Sequence, residues 1–505
     1  MKILANRVLG TTACVVTLLS PGVPATAAEQ RPSDENIGYW VREGLREDPR
    51  VWASDITVAV ADGVVTLKGF VTNLAEKKYA DLEAKKIKGV RGVVNEITVS
   101  GVSRPDAELM ADVNRRLKAS SSLHSESVQA KVASGSVTLT GSMASWARRE
   151  EAELVATEVR GTKDVKNEIQ VRHESKRPDK DVQTDVKGSL DRDVYLAGLP
   201  ITVSVNDGMV ALDGMVGSAY QKERAGRDAQ FVANVKKVEN NLKVEWWEKR
   251  GTREAMPVPS DPDLAMAVKA TLDHDNRLQA SMVTTAARGG HVTLRGTVPT
   301  DAQARTAESD AMEVPGSVWV SNLLDVSPMN VADEKVLEDV RFALDTDALM
   351  QQRDLAVHVT NGFVSLSGTV RNSFQRSHAA DVVSRVHGVR GVENGLTVNW
   401  VPRFHDAALA ERIVERLGAN WETRWVADSI RVQVHGGVAT LTGDVNTWSE
   451  RHEAGRLAYL TDGIWSVVNK VRVRNVEYPW ELWEMGEPNP FGLYLPHPPV
   501  YYDRY

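Results

Sequence analysis

One register recurs six times along the 505-residue chain, and it limits the fold more than composition does. Aligned on Gly69, Gly141, Gly214, Gly296, Gly368 and Gly443, every copy has a leucine two residues earlier and a second glycine six residues earlier. An alanine follows eleven residues later. An asparagine (Asn95, Asn167, Asn240, Asn322, Asn394 or Asn469) follows twenty-six residues later. Successive anchors lie 72, 73, 82, 72 and 75 residues apart, so each unit must build a small core of its own.

Within a copy the hydrophobic period changes from helix to strand and back. Asp34, Asp106, Asp179, Asp261, Asp333 or Asp406 opens an apolar stripe of helical spacing, such as Leu109, Val113 and Leu117, and is expected to be the N-cap. An alternating strand follows (Ile201, Val203, Val205), then a turn pair such as Asp62-Gly63 or Asn361-Gly362 that suits positive φ. The second strand, Val65, Leu67, Gly69 and Val71 in copy one, has period two. Its anchor glycine is expected where a helix packs closely on the sheet, because the next helix carries small residues such as Ala152 and Ala156. Gly89, Gly161, Gly316, Gly388 or Gly463, with Asn234 in copy three, is expected to end that helix, and a last strand closes the unit.

This order predicts an α+β fold: six tandem small domains, each helix-strand-strand-helix-strand, with a three-stranded sheet covered by two helices. Neighbour contacts along the chain are expected to add stability to units this small. The expected boundaries are a signal peptide at 1–28 and repeats at 33–100, 105–172, 178–245, 261–327, 332–399 and 405–475. A charged, proline-containing linker occupies 246–260 and an aromatic, proline-rich tail 476–505, the tail being expected to dock on copy six.

The leader has Lys2 and Arg7, an apolar run from Val8 to Leu19, and Ala25-Thr26-Ala27 for cleavage. It predicts export to the periplasm, and no later stretch is apolar enough for a transmembrane span. The single cysteine, Cys14, lies inside the leader, which leaves the mature chain without disulfides or thiol chemistry. Loss of Lys2 and Arg7 takes the formal charge from −7 to −9, so there is no broad pull toward nucleic acid; a local patch would have to supply any anionic contact.

The element order, the opening aspartate, the turn glycine, the Val65-Thr66-Leu67-Lys68-Gly69 strand and the Gly-Val-x-x-Val-x-Asn closer together resemble the BON domain. Gly89-Val90-Arg91-Gly92-Val93-Val94-Asn95 and Gly388 to Asn394 show the closer most fully, and the resemblance, to tandem BON-domain proteins of the OsmY-like periplasmic family, covers residues 33 to 475. Departures are small: Met143 in copy two and Ala439 in copy six replace valine. The resemblance implies non-catalytic work at the cell envelope, osmotic-stress protection and phospholipid contact.

No chemistry competes with that reading. The eleven histidines form no His-x-x-x-His or His-Glu-x-x-His pattern, and there is no phosphate loop. Ser365-Leu366-Ser367-Gly368 lacks the first glycine of a nucleophile elbow. The chain is expected not to be an enzyme, with no catalytic, cofactor or metal residues. The six anchor glycines are expected to be structural. The candidate lipid contact is Lys77, Lys78, Lys85, Lys86, Lys88 and Arg91, on or just after the second helix of copy one. The plainer alternative is a solvated helix face balanced by Glu76, Asp81 and Glu83. Thirteen tryptophans, among them Trp40, Trp52, Trp421 and Trp448, suit core and inter-domain packing, or contact with a membrane or partner. The expected function is that of a periplasmic envelope and osmotic-stress protein contacting phospholipid surfaces through repeated modules. The alternative is a holdase-like or scaffolding protein binding other envelope polypeptides.

Overall fold

The computed structural model describes residues 31–474, apart from 124–126, 173–176, 246–258, 276, 328–330, 351–354 and 400–403. The leader, most of the linker and the tail therefore lie outside the described residues.

Each copy contributes two helices. In chain order they are α1 (Asp34–Glu47), α2 (Leu74–Lys85), α3 (Asp106–Ala119), α4 (Trp146–Thr157), α5 (Asp179–Arg192), α6 (Ala219–Phe231), α7 (Asp261–His274), α8 (Asp301–Met312), α9 (Asp333–Thr346), α10 (Ser373–Ser384), α11 (Asp406–Ala419) and α12 (Trp448–Tyr459). In copy one, β2 (Val64–Val71) is the central strand, antiparallel to β1 (Ile56–Ala61) and parallel to β3 (Gly92–Val99). The other copies repeat this order, with the closing strand interrupted after Asn167 in copy two and after Asn240 in copy three.

Period-two alternation puts Val65, Leu67 and Val71 on the buried face of β2, where each contributes about 1.5–3 kcal/mol on leaving water. Ile37, Val41 and Leu45 of α1 meet them from one side of the sheet. Each second helix starts at a side-chain cap: Asn73, Ser145, Ser218, Thr300, Asn372 or Thr447 accepts a backbone N–H three residues on.

The opening aspartate is not the N-cap. That position belongs to the residue before it, Ser33 in copy one and Pro105 in copy two. Asp34 instead accepts the N–H groups of Asp62 at 2.7 Å and Gly63 at 3.0 Å, at the tip of the hairpin. Asp106, Asp179, Asp333 and Asp406 each take two turn N–H groups in the same way, and Asp261 takes that of Gly289. Two adjacent residues at positive φ aim their N–H groups out of the ladder, and the carboxylate satisfies them.

The anchor glycine also has a different neighbour from the one expected. A Cβ on Gly69, at φ +122°, would lie 1.9 Å from the carbonyl oxygen of Asp55, at the entry to β1, rather than against a helix. The glycine expected to end the second helix lies beyond it. Copy one's helix stops at Lys85, and Gly89 forms the following turn against Ile37 and Pro32. The conserved register of asparagines has a role that spacing alone did not reveal. Asn95 donates to the carbonyl of Lys77 in α2 at 2.9 Å and accepts from Ile97, and the other five do the same in their copies.

Copies do not simply stack on their neighbours in sequence. Copy one faces copy six, copy two faces copy five and copy three faces copy four. Ile87 bridges Asn420, Ser120 bridges Val386 and Val159 bridges Asp347 as short antiparallel pairs. In the third pair Val194 donates to the carbonyl of Glu313 at 2.9 Å. The copy two–five contact is isologous: the end of the first helix of each copy bridges the turn after the second helix of the other. Lateral contacts complete two triangles, copies one to three and four to six. Examples are Lys78 with Glu153 at 2.9 Å and the Tyr459 hydroxyl donating to Ser373 at 2.7 Å. Helices face inward across these contacts, and each sheet keeps an exposed outer face.

Candidate functional site

The inward surface is built on buried charge. Glu83 of α2 accepts from Arg416 of α11 at 2.8 Å and also meets Arg50 and Arg456. Burial pushes its carboxyl up, but the three arginines win and hold it below the usual range. In the copy two–five pair, Glu158 accepts from Arg385 at 2.6 Å and from Arg116, and Asp347 meets His378 at 3.0 Å. In the copy three–four pair, Arg224 joins Asp193 to Glu313. Such networks are costly to break because one partner's loss strands a buried charge.

Four of the six candidate lipid-contact cations enter this inward surface. Lys86 is fully buried, with Glu453 at 3.5 Å and its ammonium 4.2 Å from the centroid of the Tyr220 ring. Lys78 pairs with Glu153 of copy two, and Lys85 with Asp81 and with Glu223 of copy three. Lys88 lies over the Trp40 ring at 4.1 Å. Lys77 is half-buried. Arg91 sits at the hairpin tip, paired with Asp62 at 2.8 Å. The structure therefore does not bring the six together on one exposed face. Of the balancing acids, Glu76 spends its carboxylate on the cap of α2, accepting from Thr72 and Asn73.

What faces outward is the sheet. In copy one Val64, Phe70 and Val94 are 38%, 55% and 43% exposed, and Trp52, leading into β1, is 65% exposed. Lys68 and Glu96 pair at 2.9 Å between them. Copies three, four and five add Met209 and Met215, Met282, and Phe363. Only Trp52 was among the contact candidates considered from sequence; the others, apart from Met282 in the 3-10 turn before its strand, stand at polar-face positions of an alternating strand, where an unexpectedly apolar residue is the signal to look for. Trp421 and Trp448, by contrast, are buried in copy six. Among the described residues no group of histidine, cysteine, aspartate and glutamate could hold a metal ion, and no helix is long and apolar enough to cross a membrane.

The fold and its inward-packed helices define a single-chain assembly of six repeated α+β modules. The BON domain family model matches residues 33–101, 105–173, 178–245, 260–328, 332–399 and 405–475, and the chain belongs to that family. It is similar to Osmotically-inducible protein Y of Escherichia coli strain K12, 32% identical over 144 residues that make up 27% of this chain and 71% of the relative. Two solved structures of CdsD, a structural protein of the type III secretion system of Chlamydia trachomatis, also align. One covers 43% of this chain and 92% of its own at 15% identity, the other 42% and 100% at 13%, each with a TM-score of 0.12.

Proposed function

We propose that this is a non-catalytic, periplasmic protein of the osmotic-stress response that contacts phospholipid surfaces through the outer faces of its sheets. The observation that carries this reading is the division of the surface: helices and most candidate cations are covered by other copies, whereas Trp52, Val64, Phe70 and Val94 of copy one stay exposed. Aromatic rings with a polar edge suit the boundary between headgroups and acyl chains. Membership of the BON family and likeness to an osmotically inducible protein support the setting. Several weak faces on one chain add avidity where more than one can reach the surface.

Sedimentation of the mature chain with zwitterionic and with anionic vesicles, at low and high salt, tests it. Trp52→Ser with Phe70→Ser is expected to weaken binding. If instead Lys77→Gln with Lys88→Gln and Arg91→Gln abolishes a salt-sensitive binding to anionic vesicles, the basic helix of copy one is the contact. Absence of binding to every vesicle sinks both versions. In that case the better reading is a scaffold or holdase for other envelope polypeptides, favoured by the exposed, adaptable side chains of Met209, Met215, Met266 and Met282.

A further inference from the structure

The central strands of copies one and three share a feature that the other four lack. Five residues before the anchor glycine and one residue after it, copy one has Val64 and Phe70, and copy three has Met209 and Met215. Copies two, four, five and six have Ser136 and Ser142, His291 and Thr297, Phe363 and Thr369, and Val438 and Asp444. Both positions fall on the outer face of the sheet, where Met209 and Met215 are 43% and 48% exposed. Each of these two sheets therefore shows water an apolar group at both ends of its middle strand, and Trp52 and Val94 widen the patch in copy one.

Between those ends the charge is balanced. Within β1, β2 and β3 the charged residues are Lys68 and Glu96, register partners on adjacent strands that pair at 2.9 Å. Around the hairpin tip Arg31 and Arg91 meet Asp34 and Asp62, and Asp55 at the entry to β1 adds one further acid. In copy three the strands Ile201–Asn206, Met209–Val216, Lys237–Asn240 and Lys243–Val244 hold Asp213, Lys237, Glu239 and Lys243, two of each sign. Lys237 pairs with Glu239 and Lys236 with Asp207, each at 3.0 Å. Attraction to an anionic bilayer needs an excess of lysine and arginine, and neither face has one. The chain as a whole adds no such attraction, because its formal charge is −7, or −9 once Lys2 and Arg7 leave with residues 1–28. A zwitterionic headgroup carries a phosphate and an amine cation, which answer a lysine and a glutamate side by side without net charge. Copy six is the contrast. Its strands hold Arg431, Lys470 and Arg472 against Asp444, but no aromatic residue is exposed there among the described residues.

We propose that the outer faces of copies one and three set their apolar ends into a bilayer of zwitterionic phospholipid, with the Lys68–Glu96 and Lys237–Glu239 pairs at headgroup level. This rests on the lipid reading above and assigns the headgroup class that it takes.

Sedimentation of the chain begun after residue 28 tests it, with vesicles of phosphatidylcholine and of phosphatidylcholine mixed equally with phosphatidylglycerol, at low and high salt. Binding to phosphatidylcholine is expected to stay within about twofold between the two salts, since apolar contact is not screened. The anionic mixture is expected to bind less at low salt and to approach phosphatidylcholine at high salt. Phe70→Ser with Met215→Ser is expected to weaken binding to phosphatidylcholine at least about tenfold, because each removes a side chain that leaves water on contact. Val64→Ser with Met209→Ser, at the opposite ends of the same strands, is expected to weaken it as well. Lys470→Gln with Arg472→Gln, on the face of copy six, is expected to change nothing. Tighter binding to the anionic mixture that salt abolishes, or binding untouched by both pairs of serine variants, overturns the headgroup assignment and leaves the lipid reading standing. Absence of binding to either vesicle sinks both.

Discussion

Arg416 and Glu83 are separated by 333 residues of chain, and their side chains meet at 2.8 Å in the buried contact between copy six and copy one. The same guanidinium donates to the carbonyl of Leu460, so it ties two elements of its own copy to the partner. Arg416→Ala removes one side of a buried pair and leaves Glu83 short of countercharge. The expected cost is about 3–5 kcal/mol. Urea denaturation reads it as a lower midpoint, and an unchanged midpoint would mean that this contact contributes nothing.

Two glycine substitutions are expected to have opposite signs. Gly69→Ala drives a methyl to within 1.9 Å of the Asp55 carbonyl and demands a backbone at φ +122°, so copy one should lose about 3 kcal/mol or more. Gly418→Ala, inside α11 with nothing within 4 Å of the new atom, should be neutral or stabilise by up to about 1 kcal/mol. Thermal melts of the two variants separate them. A mild effect at Gly69 would contradict the close strand approach.

The opening aspartate makes a local prediction. Asp333→Ala frees the N–H groups of Asn361 and Gly362, which Asp333 now accepts at 2.7 and 2.9 Å. The expected cost is about 1–3 kcal/mol, together with faster hydrogen exchange at those two amides and little change in the first turn of α9. Fraying of α9 with an unchanged turn would restore the N-cap role.

The copy two–five contact should respond to pH. Burial pushes the His378 imidazole down, but the Asp347 and Glu158 charges outweigh burial and the opposing Arg385, and its pKa is raised above 6.5. Burial pushes Asp347 up, but His378 and Arg116 outweigh it and hold its carboxyl below 3.8. The histidine's contribution is whole below 6.5 and is lost as pH rises through its folded value. The aspartate's is whole above 3.8 and is lost as pH falls through its own. Both therefore act fully only between those limits. Denaturation midpoints from pH 5 to 9 should decline on the alkaline side for the native chain and decline less for His378→Gln. Identical profiles would exclude the pair as a source of pH dependence.

The repeat, the alternating strands and the positive-φ turns were legible because each is dictated by residues a few positions apart. Asp34 was misjudged because an aspartate beside a helix start looks like a cap, whereas its partners are the turn amides 28 and 29 residues away. Lys86 looked like part of a solvent-facing basic helix because Glu453 lies in another copy. The contact position fourteen residues after each opening aspartate holds Asp48, Ser120, Asp193, Asp275, Asp347 and Asn420, an aspartate or asparagine in five copies of six, but that recurrence does not say which other copy the position meets. Pairing across hundreds of residues leaves no period to read, and only the recurrence of charge on helices that also carry apolar stripes hinted at a second buried face.

The nested pairing of copies is the claim on which the rest depends, and a disulfide tests it most directly. Ser120 and Val386 face each other as a narrow antiparallel pair, flanked by Ser121 donating to Arg385 and His387 donating to Ala119, both at 2.7 Å. Their Cα atoms are therefore placed for bridging. Apart from Cys14 the chain has no cysteine. In a chain begun after residue 28, which omits Cys14, Ser120→Cys/Val386→Cys, oxidised mildly, should close an internal loop and run faster on a non-reducing gel, while Ser120→Cys/Leu460→Cys should stay open. Free thiols in the first variant, or bridges only between molecules, would contradict the pairing of copy two with copy five.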